Sequence, residues 1–276
     1  MNWWQAMALG IVEGLTEYLP VSSTGHLILT QRLLDIPAGQ AADAYAICIQ
    51  AGAILAVLGL YWTPVKRMAR GILGRDRQGL TLAINIIVAF LPAAVIGLLF
   101  DAVIEEYLFG LVPITVAWLV GGLAILAVPR WRQPRRPDEN GGQDLMALTW
   151  RMALLIGFAQ CLAMWPGTSR SLVTILAGTL VGLSLKNAVE FSFLLGLVTL
   201  TAATAYKAVN GGAAMLQAYG WTTMGIGFIF ATLSAAMAVK WMVAYLNRHS
   251  LMVFGIYRVA LGLSVGAALW TGFLMP

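Results

Sequence analysis

The chain has 276 residues, of which 60% are hydrophobic and 11% charged, and its formal net charge is +5. Soluble domains carry about 25% charged residues, so the composition excludes a soluble enzyme and indicates an integral membrane protein. The apolar stretches are about 20 residues long, which predicts an all-α polytopic protein rather than the ten-residue alternation of an outer-membrane barrel. We expect membrane lipid around the chain and no nucleic-acid partner.

The first predicted elements are two short apolar pieces, at about 2–20 and 24–34. They enclose the sequence Glu13-Gly-Leu-Thr-Glu17-Tyr-Leu-Pro-Val-Ser22-Ser23-Thr24-Gly25-His26. No basic residue precedes this motif, so we expect no cleaved signal peptide. Three helix-length spans are predicted next, at 42–63, 79–100 and 111–129.

A segment rich in proline, glycine and charge, 130–144, separates two halves of the chain. This pattern predicts one membrane domain made of a first repeat, 1–129, and a second repeat, 145–276. The linker is interpreted either as a solvated cytoplasmic connector or as a segment that binds anionic lipid.

The second half repeats the arrangement of the first. Short apolar pieces at 145–163 and 171–184 enclose Gln160-Cys-Leu-Ala-Met-Trp-Pro-Gly167-Thr168-Ser169-Arg170-Ser171. Three further spans are predicted at 187–208, 221–240 and 251–272. Interrupted helices at corresponding positions of two halves indicate an inverted repeat with a site between the halves.

The pieces 24–34 and 171–184 are too short to cross a membrane, which needs about 20 residues. We therefore predict two re-entrant helical hairpins in addition to six spans; the alternative is a pair of full spans whose polar turns lie at one surface. The basic residues concentrate in alternate loops, among them Lys66, Arg67, Arg70, Arg75, Arg77, Arg130, Arg132, Arg135 and Arg136. By the positive-inside rule those loops are cytoplasmic and both termini lie outside.

The two polar motifs predict an anion site. Each turn opens a new helix, whose free N–H groups attract phosphate. Ser22, Ser23 and Thr24 are candidate caps for one helix, and Thr168, Ser169 and Ser171 for the other. Together with Gly25 and Gly167 they form the candidate substrate-binding set. Arg170 adds a guanidinium suited to phosphate oxygens, the alternative being a structural ion pair with Glu13 or Glu17.

Three other side chains suggest chemistry. Glu13 and Glu17 lie four residues apart on one helical face, where they are candidate ligands for Mg²⁺ or Ca²⁺, a proton-transfer pair, or a structural salt bridge. His26 lies three residues after Ser23, which suits a nucleophilic serine with a histidine base, or the reverse; a packed core histidine is the alternative.

Two charged residues further along the second half, each near the cytoplasmic end of a predicted span, also need partners. For Glu190 and Arg258 we expect a mutual ion pair, or an Arg258 side chain that extends toward the membrane surface.

Both motifs resemble those of the undecaprenyl-diphosphate phosphatase family, bacterial membrane enzymes associated with bacitracin resistance. The resemblance extends to Glu190-Phe-Ser-Phe-Leu-Leu195 and Tyr257-Arg258, and so covers essentially the whole chain. Two departures stand out. Leu172 replaces a glycine that members usually carry, and Val198 stands where many have proline; the first is expected to narrow the space beside Arg170 and the second to remove a helix break.

The resemblance implies hydrolysis of undecaprenyl diphosphate to the monophosphate carrier of cell-wall synthesis, with dependence on a divalent cation. It also implies six spans plus two re-entrant hairpins, in the bacterial inner membrane, with a site open to the periplasm. By position it places Glu17, Ser23, His26 and Arg170 at the centre of catalysis, with Glu13, Ser22, Thr24 and Ser169 around them.

Other functions are less consistent with these residues. A transporter or lipid flippase would also use broken helices, but a binding site alone does not need Ser23 and His26. A structural subunit leaves the intramembrane charges without a role. Type 2 phosphatidic acid phosphatases need a histidine downstream of the motif arginine, and none follows Arg170 before His249. The nucleophile, whether Ser23, His26 or water, stays open, as does the oligomeric state.

Overall fold

The computed structural model describes residues 1–37, 39–127 and 142–274, without the side chains of 40, 43, 101, 102, 105 and 210–214. These residues form ten α-helices. In chain order they are α1 (Trp3–Thr16), α2 (Ser23–Leu33), α3 (Gln40–Leu60), α4 (Trp62–Ile72), α5 (Arg77–Leu108), α6 (Leu111–Ala127), α7 (Trp150–Gln160), α8 (Arg170–Leu180), α9 (Leu185–Leu246) and α10 (Met252–Trp270). Most of the predicted linker, 130–141, lies outside the described residues.

Several helices are long and apolar enough to cross a membrane. They are Arg77–Phe100, Leu185–Val209, Met215–Leu246 and Met252–Trp270, and the pair Ala44–Leu60 and Trp62–Ile72, bent by 82°, makes a fifth. The helix α6 matches the predicted span at 111–129 but has only 17 residues. The protein is therefore an all-helical, multi-pass membrane protein.

Large apolar side chains cover the outside of these helices. On α5, for example, Leu91, Val95, Leu98 and Leu99 are all at least half exposed. A soluble protein does not leave such a continuous apolar surface in water, whereas lipid tails solvate it at no cost. The exterior thus supports the composition argument.

The second helix of each hairpin is short, as predicted. The helices α2 and α8 have 11 residues each, which corresponds to about 16 Å, roughly half the thickness of a bilayer core. α1 packs against α2, and α7 packs against α8. Each motif therefore forms the turn of a helical hairpin.

The first hairpin is held by close packing of α1 on α9. A Cβ atom at Gly14 would lie 2.7 Å from the backbone nitrogen of Ala235, and Gly10 faces the backbone of Gly227 in the same way. Small residues four apart let two helix backbones approach closely without a hydrophobic driving force. This contact positions the end of α1, where Glu13 and Glu17 lie.

The long helix α9 bends at Gly220, whose φ of 71° and ψ of 165° are not helical. It supplies two of the apolar segments, and the predicted spans 187–208 and 221–240 fall one on each side of the bend.

In the basic loop between α4 and α5, the Asp76 side chain caps α5 by accepting from the Gly79 N–H at 2.9 Å. That bond, followed by those from Arg67, lowers the pKa of the Asp76 carboxyl.

Candidate active site

The two hairpin turns adopt the same unusual backbone conformation. Ser22 has φ 75° and ψ 100°, and Ser169 has φ 77° and ψ 111°. A positive φ in a residue other than glycine costs about 1–3 kcal/mol and is typical of functional sites. In both turns the next residue, Ser23 or Arg170, begins the second helix of the hairpin. The shared conformation directs both helix N-termini into one central region.

The turns contact each other directly. The Ser171 hydroxyl donates to the Leu19 carbonyl at 2.9 Å, and Arg170 forms an ion pair with Glu17 at 3.2 Å. Within the second turn the Ser169 hydroxyl accepts from the Leu172 N–H and lies 3.1 Å from the Ser171 hydroxyl. Capping by Ser169 is confirmed, whereas the Ser22 side chain makes no capping bond.

Arg258 links both turns from behind. Its fully buried guanidinium donates to the carbonyls of Gly167 at 2.9 Å, Ala117 at 2.8 Å and Pro20 at 3.4 Å. The predicted pairing with Glu190, or extension toward the surface, is wrong. The reason is that the carbonyls of Pro20 and Gly167 lie in turns, without helical N–H partners, and a guanidinium with five donors bonds both together with the Ala117 carbonyl of α6.

Glu190 forms no ion pair with any cationic side chain of the described residues. In the described ranges the ion pairs join Arg67 to Asp76 and Arg170 to Glu17, and Glu190 remains half-buried on α9.

Glu17, Ser23 and Arg170 form the centre of the site. The Ser23 hydroxyl donates a short hydrogen bond to Glu17 Oε2, and Arg170 Nη2 donates to Glu17 Oε1. Gln50 on α3 donates to Oε2 at 3.3 Å. Both carboxylate oxygens are therefore oriented by donors from three other helices, and the serine hydroxyl faces a base.

Arg170 is held in place by several contacts. Its Nη1 donates to the Ser192 carbonyl at 3.0 Å, and its Cζ lies 5.2 Å above the Tyr18 ring. A side chain at Gly196 on α9 would displace the guanidinium from this position. The Nε atom is buried and has no partner among the described residues. This donor remains available to an anion.

His26 is bonded at both ring nitrogens. Nδ1 lies 2.6 Å from the Ser22 carbonyl, which only accepts, so Nδ1 carries the proton. Nε2 then accepts from the Tyr257 hydroxyl at 2.8 Å, and the Tyr257 ring stacks on the imidazole. No bond between His26 and Ser23 occurs among the described residues. In this geometry the histidine supports the carbonyl of the turn, and Glu17 takes the place beside the serine.

Glu13 lies one turn before Glu17 and is 1% exposed. Neither carboxylate oxygen has a hydrogen-bond partner among the described residues. In the same part of the chain there is no cluster of three or more His, Cys, Asp or Glu side chains. Two carboxylates, one of them unpaired, fit a hard cation such as Mg²⁺, which is usually held by one or two carboxylates together with phosphate oxygens.

A cavity of about 550 Å³ adjoins this centre. Its polar end is formed by Glu17, Ser22, Ser23, Thr24, Gln50, Gln160, Ser169, Arg170 and Thr199. Its apolar wall includes Phe90, Ala93, Ala94, Gly97 and Leu98 of α5 with Ala163 and Met164. Tyr206 and Lys207 form another part of the lining, and Leu98 is 66% exposed on the outer surface. The cavity thus joins the polar side chains of the site to the lipid-facing exterior.

Not all predicted residues line this cavity. Of the substrate-binding candidates Ser22, Thr24, Gly167 and Ser169 do, whereas Gly25, Thr168 and Ser171 do not. Leu172 also lies away from it, buried in the main core, so this departure does not narrow the space beside Arg170. Val198 lies within helical α9, with no break there.

The sequence analysis assigned no site role to several polar side chains, although Gln160 opens the second motif and Tyr257 belongs to a segment of the family resemblance. These side chains are Gln50, Gln160, Thr199 and Tyr257; the role of Arg258 was also predicted incorrectly. Gln50 and Gln160 each interrupt an apolar stretch, a signal that could have identified them. Tyr257 and Thr199 carry no such signal, because hydroxyl-bearing residues are common in membrane helices.

Comparison with known proteins identifies the family. The family described as bacitracin resistance protein BacA matches residues 6–264. The chain belongs to the BacA family. It is 46% identical over 270 residues to undecaprenyl-diphosphatase 2 of Rhodospirillum rubrum, covering 98% of this chain and 96% of the relative.

Two further BacA-family relatives are similar over nearly the whole chain. The undecaprenyl-diphosphatase of Sorangium cellulosum is 45% identical over 95% of this chain and 85% of its own length. That of Methylococcus capsulatus is 43% identical over 98% of both chains. The resemblance inferred from the motifs is therefore confirmed.

Proposed function

We propose that this protein hydrolyses undecaprenyl diphosphate to undecaprenyl phosphate and inorganic phosphate. The reaction recycles the lipid carrier of cell-wall synthesis and confers resistance to bacitracin. The observation that carries the proposal is the cavity, in which the Glu17–Ser23–Arg170 centre adjoins an apolar wall that reaches the lipid-facing surface. The names of the relatives support the same substrate.

In the proposed mechanism Ser23 is the nucleophile. Its hydroxyl proton passes to Glu17 while Oγ forms a bond to the terminal phosphorus and the bond to the bridging oxygen breaks, releasing undecaprenyl phosphate. Glu17 passes that proton to the departing undecaprenyl phosphate and becomes a carboxylate again. Water then attacks the phosphoserine and gives one proton to Glu17 as the bond from phosphorus to Oγ breaks; Glu17 returns this proton to Oγ, and inorganic phosphate leaves, which regenerates free Ser23. The hydrogen bond from Ser23 to Glu17 supports this assignment of the base.

Arg170 and the N-terminus of α2 stabilise the phosphoryl charge. The unpaired Nε of Arg170 and the free N–H groups at the start of α2 are donors fixed in a buried site, where they need no reorganisation during the reaction. His26 acts as a positioning residue, because its bond to the Ser22 carbonyl holds the turn that presents Ser23.

Glu13 and Glu17 would hold a divalent cation, Mg²⁺ or Ca²⁺, in this proposal. Such a cation would supply positive charge that offsets the charge of the phosphates. The support is the unpaired, buried carboxylate of Glu13 next to the engaged carboxylate of Glu17.

The membrane arrangement belongs to the proposal as well. The chain forms one domain in the bacterial inner membrane, with repeats 1–129 and 145–276, linker 130–144, six spans and two re-entrant hairpins of inverted topology. The matched conformations of Ser22 and Ser169 support the repeat. Both termini are periplasmic, and the cavity opens to the periplasm, since its lining extends to Lys207, near the end of the span 187–208 that lies opposite the cytoplasmic Lys186.

Phosphate release from undecaprenyl diphosphate by the purified protein in detergent tests the function. Detergent abolishes transport, so release there separates a phosphatase from a flippase. We expect multiple turnovers, lost in chelator and restored by Mg²⁺ or Ca²⁺. Binding of the lipid without phosphate release would overturn the phosphatase proposal, and full activity in chelator would remove the cation from it.

A further inference from the structure

Gln160 carries a buried donor that has no use in the proposed mechanism. It ends α7, is 2% exposed and lines the cavity. Its Nε2 atom is fully buried and has no hydrogen-bond partner among the described residues. Leaving a buried amide donor unpaired costs about 1–3 kcal/mol, so its retention beside a cavity indicates a ligand that accepts from it.

Thr199 on α9 determines how this amide is oriented. Its hydroxyl donates to Gln160 Oε1 at 3.3 Å. With the carbonyl end bonded to α9, the NH₂ end is presented away from Thr199. The pair therefore provides an oriented neutral donor in a site whose other end holds a cationic guanidinium.

The position of the Gln160 donor in the cavity, measured along the axis of α9, follows from its bond to Thr199. Gly196 packs against the Arg170 guanidinium, and Thr199 lies three residues later, about 4.5 Å along the helix axis. Further cavity-lining residues continue along α9 to Ala203, Tyr206 and Lys207. Gln160 thus lies beside Arg170 along the cavity, about one helical turn of α9 closer to Lys207.

We infer that Gln160 binds the phosphate that stays on the lipid, while Arg170 and Ser23 engage the phosphate that is transferred. This inference rests on the proposed function and deepens it by assigning a second phosphate subsite. The two phosphates of a diphosphate share one oxygen and therefore lie next to each other, as the Arg170 and Gln160 side chains do along the cavity. A monophosphate bound at Arg170 would leave the Gln160 donor unpaired, so the subsite favours diphosphates as substrates.

Kinetics of Gln160→Leu test the subsite. The change keeps the volume and removes the donor, and we expect KM for undecaprenyl diphosphate to rise about tenfold or more with kcat within about threefold, as for loss of a hydrogen bond to a charged group. Gln160→Glu, which adds a charge that repels phosphate, should raise KM further. Thr199→Val should raise KM less, because it only frees the amide to rotate.

Inhibition by inorganic pyrophosphate and phosphate isolates the second subsite. In the wild type pyrophosphate should inhibit more strongly than phosphate, and Gln160→Leu should abolish most of that difference while leaving inhibition by phosphate in place. The matched control is Gln31→Leu, the same change at a buried glutamine that bonds the Ala42 carbonyl outside the cavity. A ratio of pyrophosphate to phosphate inhibition equal in both variants overturns the inference.

Binding separates this inference from the proposed function. If the wild type released no phosphate from undecaprenyl diphosphate, the proposed function would be wrong. The subsite could still be tested, because pyrophosphate should raise the Tm of the wild type more than phosphate does. Loss of that increase in Gln160→Leu supports it, and retention overturns it. Should Gln160→Leu fail to fold, Gln160→Asn, which withdraws the donor by one methylene, serves in the same comparison.

Discussion

The turn before α2 and the turn before α8 have nearly the same backbone but different chemistry. Ser22 and Ser169 have φ of 75° and 77°, and each precedes a helix of 11 residues. At the next position the first turn carries a hydroxyl, Ser23, and the second a guanidinium, Arg170. The first hairpin also supplies both glutamates. The shared backbone conformation brings the N-termini of α2 and α8 to the same region, whereas the side chains that follow it differ in chemistry.

The two turns also differ in how they are stabilised. In the second, Ser169 caps its own helix and Ser171 reaches across to Leu19. In the first, the Ser22 carbonyl is bonded by His26 and its side chain makes no cap. The first turn is therefore supported by an aromatic pair, His26 and Tyr257, and the Ser22 hydroxyl is not used for capping.

The largest expected effect comes from Ser23→Ala. Removing the nucleophile should reduce kcat by on the order of 10³-fold or more with unchanged Tm. Rapid quench with labelled undecaprenyl diphosphate should find acid-stable phosphate on Ser23 in the wild type. Acid-labile phosphate on His26 would transfer the nucleophile's role to the histidine, and label on neither residue would favour direct attack by water.

Arg170→Lys should have the next largest effect. The ammonium keeps the charge but loses Nε and the fork, which we expect to cost about 2–4 kcal/mol of transition-state stabilisation, or about 10²–10³ in kcat/KM. Arg67→Lys, a change at an arginine that pairs with Asp76 outside the site, is the control and should be near wild type. Turnover by Arg170→Lys close to that control would argue against a phosphate contact.

Arg258→Lys tests the support that the two turns share. One ammonium cannot satisfy carbonyls of Gly167, Ala117 and Pro20 with the geometry of a guanidinium, and we expect a loss of about 1–3 kcal/mol of stability per abandoned group. Thermal unfolding should show a lower Tm together with a lower kcat and little change in KM. A variant with wild-type Tm would show that the turns hold together without this residue.

The smallest effect distinguishes the two serines of positive φ. Ser169→Ala removes the cap of α8 and should cost about 0.5–2 kcal/mol, whereas Ser22→Ala has no capping bond to lose. Paired measurements of Tm should therefore show a larger decrease for Ser169→Ala. Equal decreases would mean that the asymmetry between the turns has no energetic consequence.

Local patterns predicted much of this architecture. The lengths of the apolar stretches, the short second helices of both hairpins and the matched positions of the motifs follow from hydropathy and from where proline and hydroxyl residues occur. Capping by Ser169 was predictable for the same reason, since a cap depends on residues within one turn. The ion pair between Arg170 and Glu17 was foreseen as an alternative to anion binding, and the structure contains it.

Contacts between distant segments were less predictable. Glu190 and Arg258 were predicted to pair because both are charges in apolar helices, yet Arg258 bonds the carbonyls of Pro20 and Gly167 in the two turns and of Ala117 in α6. Likewise the spacing of Ser23 and His26 suggested a dyad, whereas the direction of the α2 helix points His26 at Tyr257 and leaves Ser23 at Glu17.

By itself the sequence determined that this is a helical membrane protein with two polar turns, because periodicity and composition act over short distances along the chain. Only the tertiary structure decided which polar group meets which. The contacts of Glu17 with Ser23, of Arg258 with both turns and of Gln160 with Thr199 depend on how helices far apart in sequence pack, and buried polar groups take whichever partners that packing brings within reach.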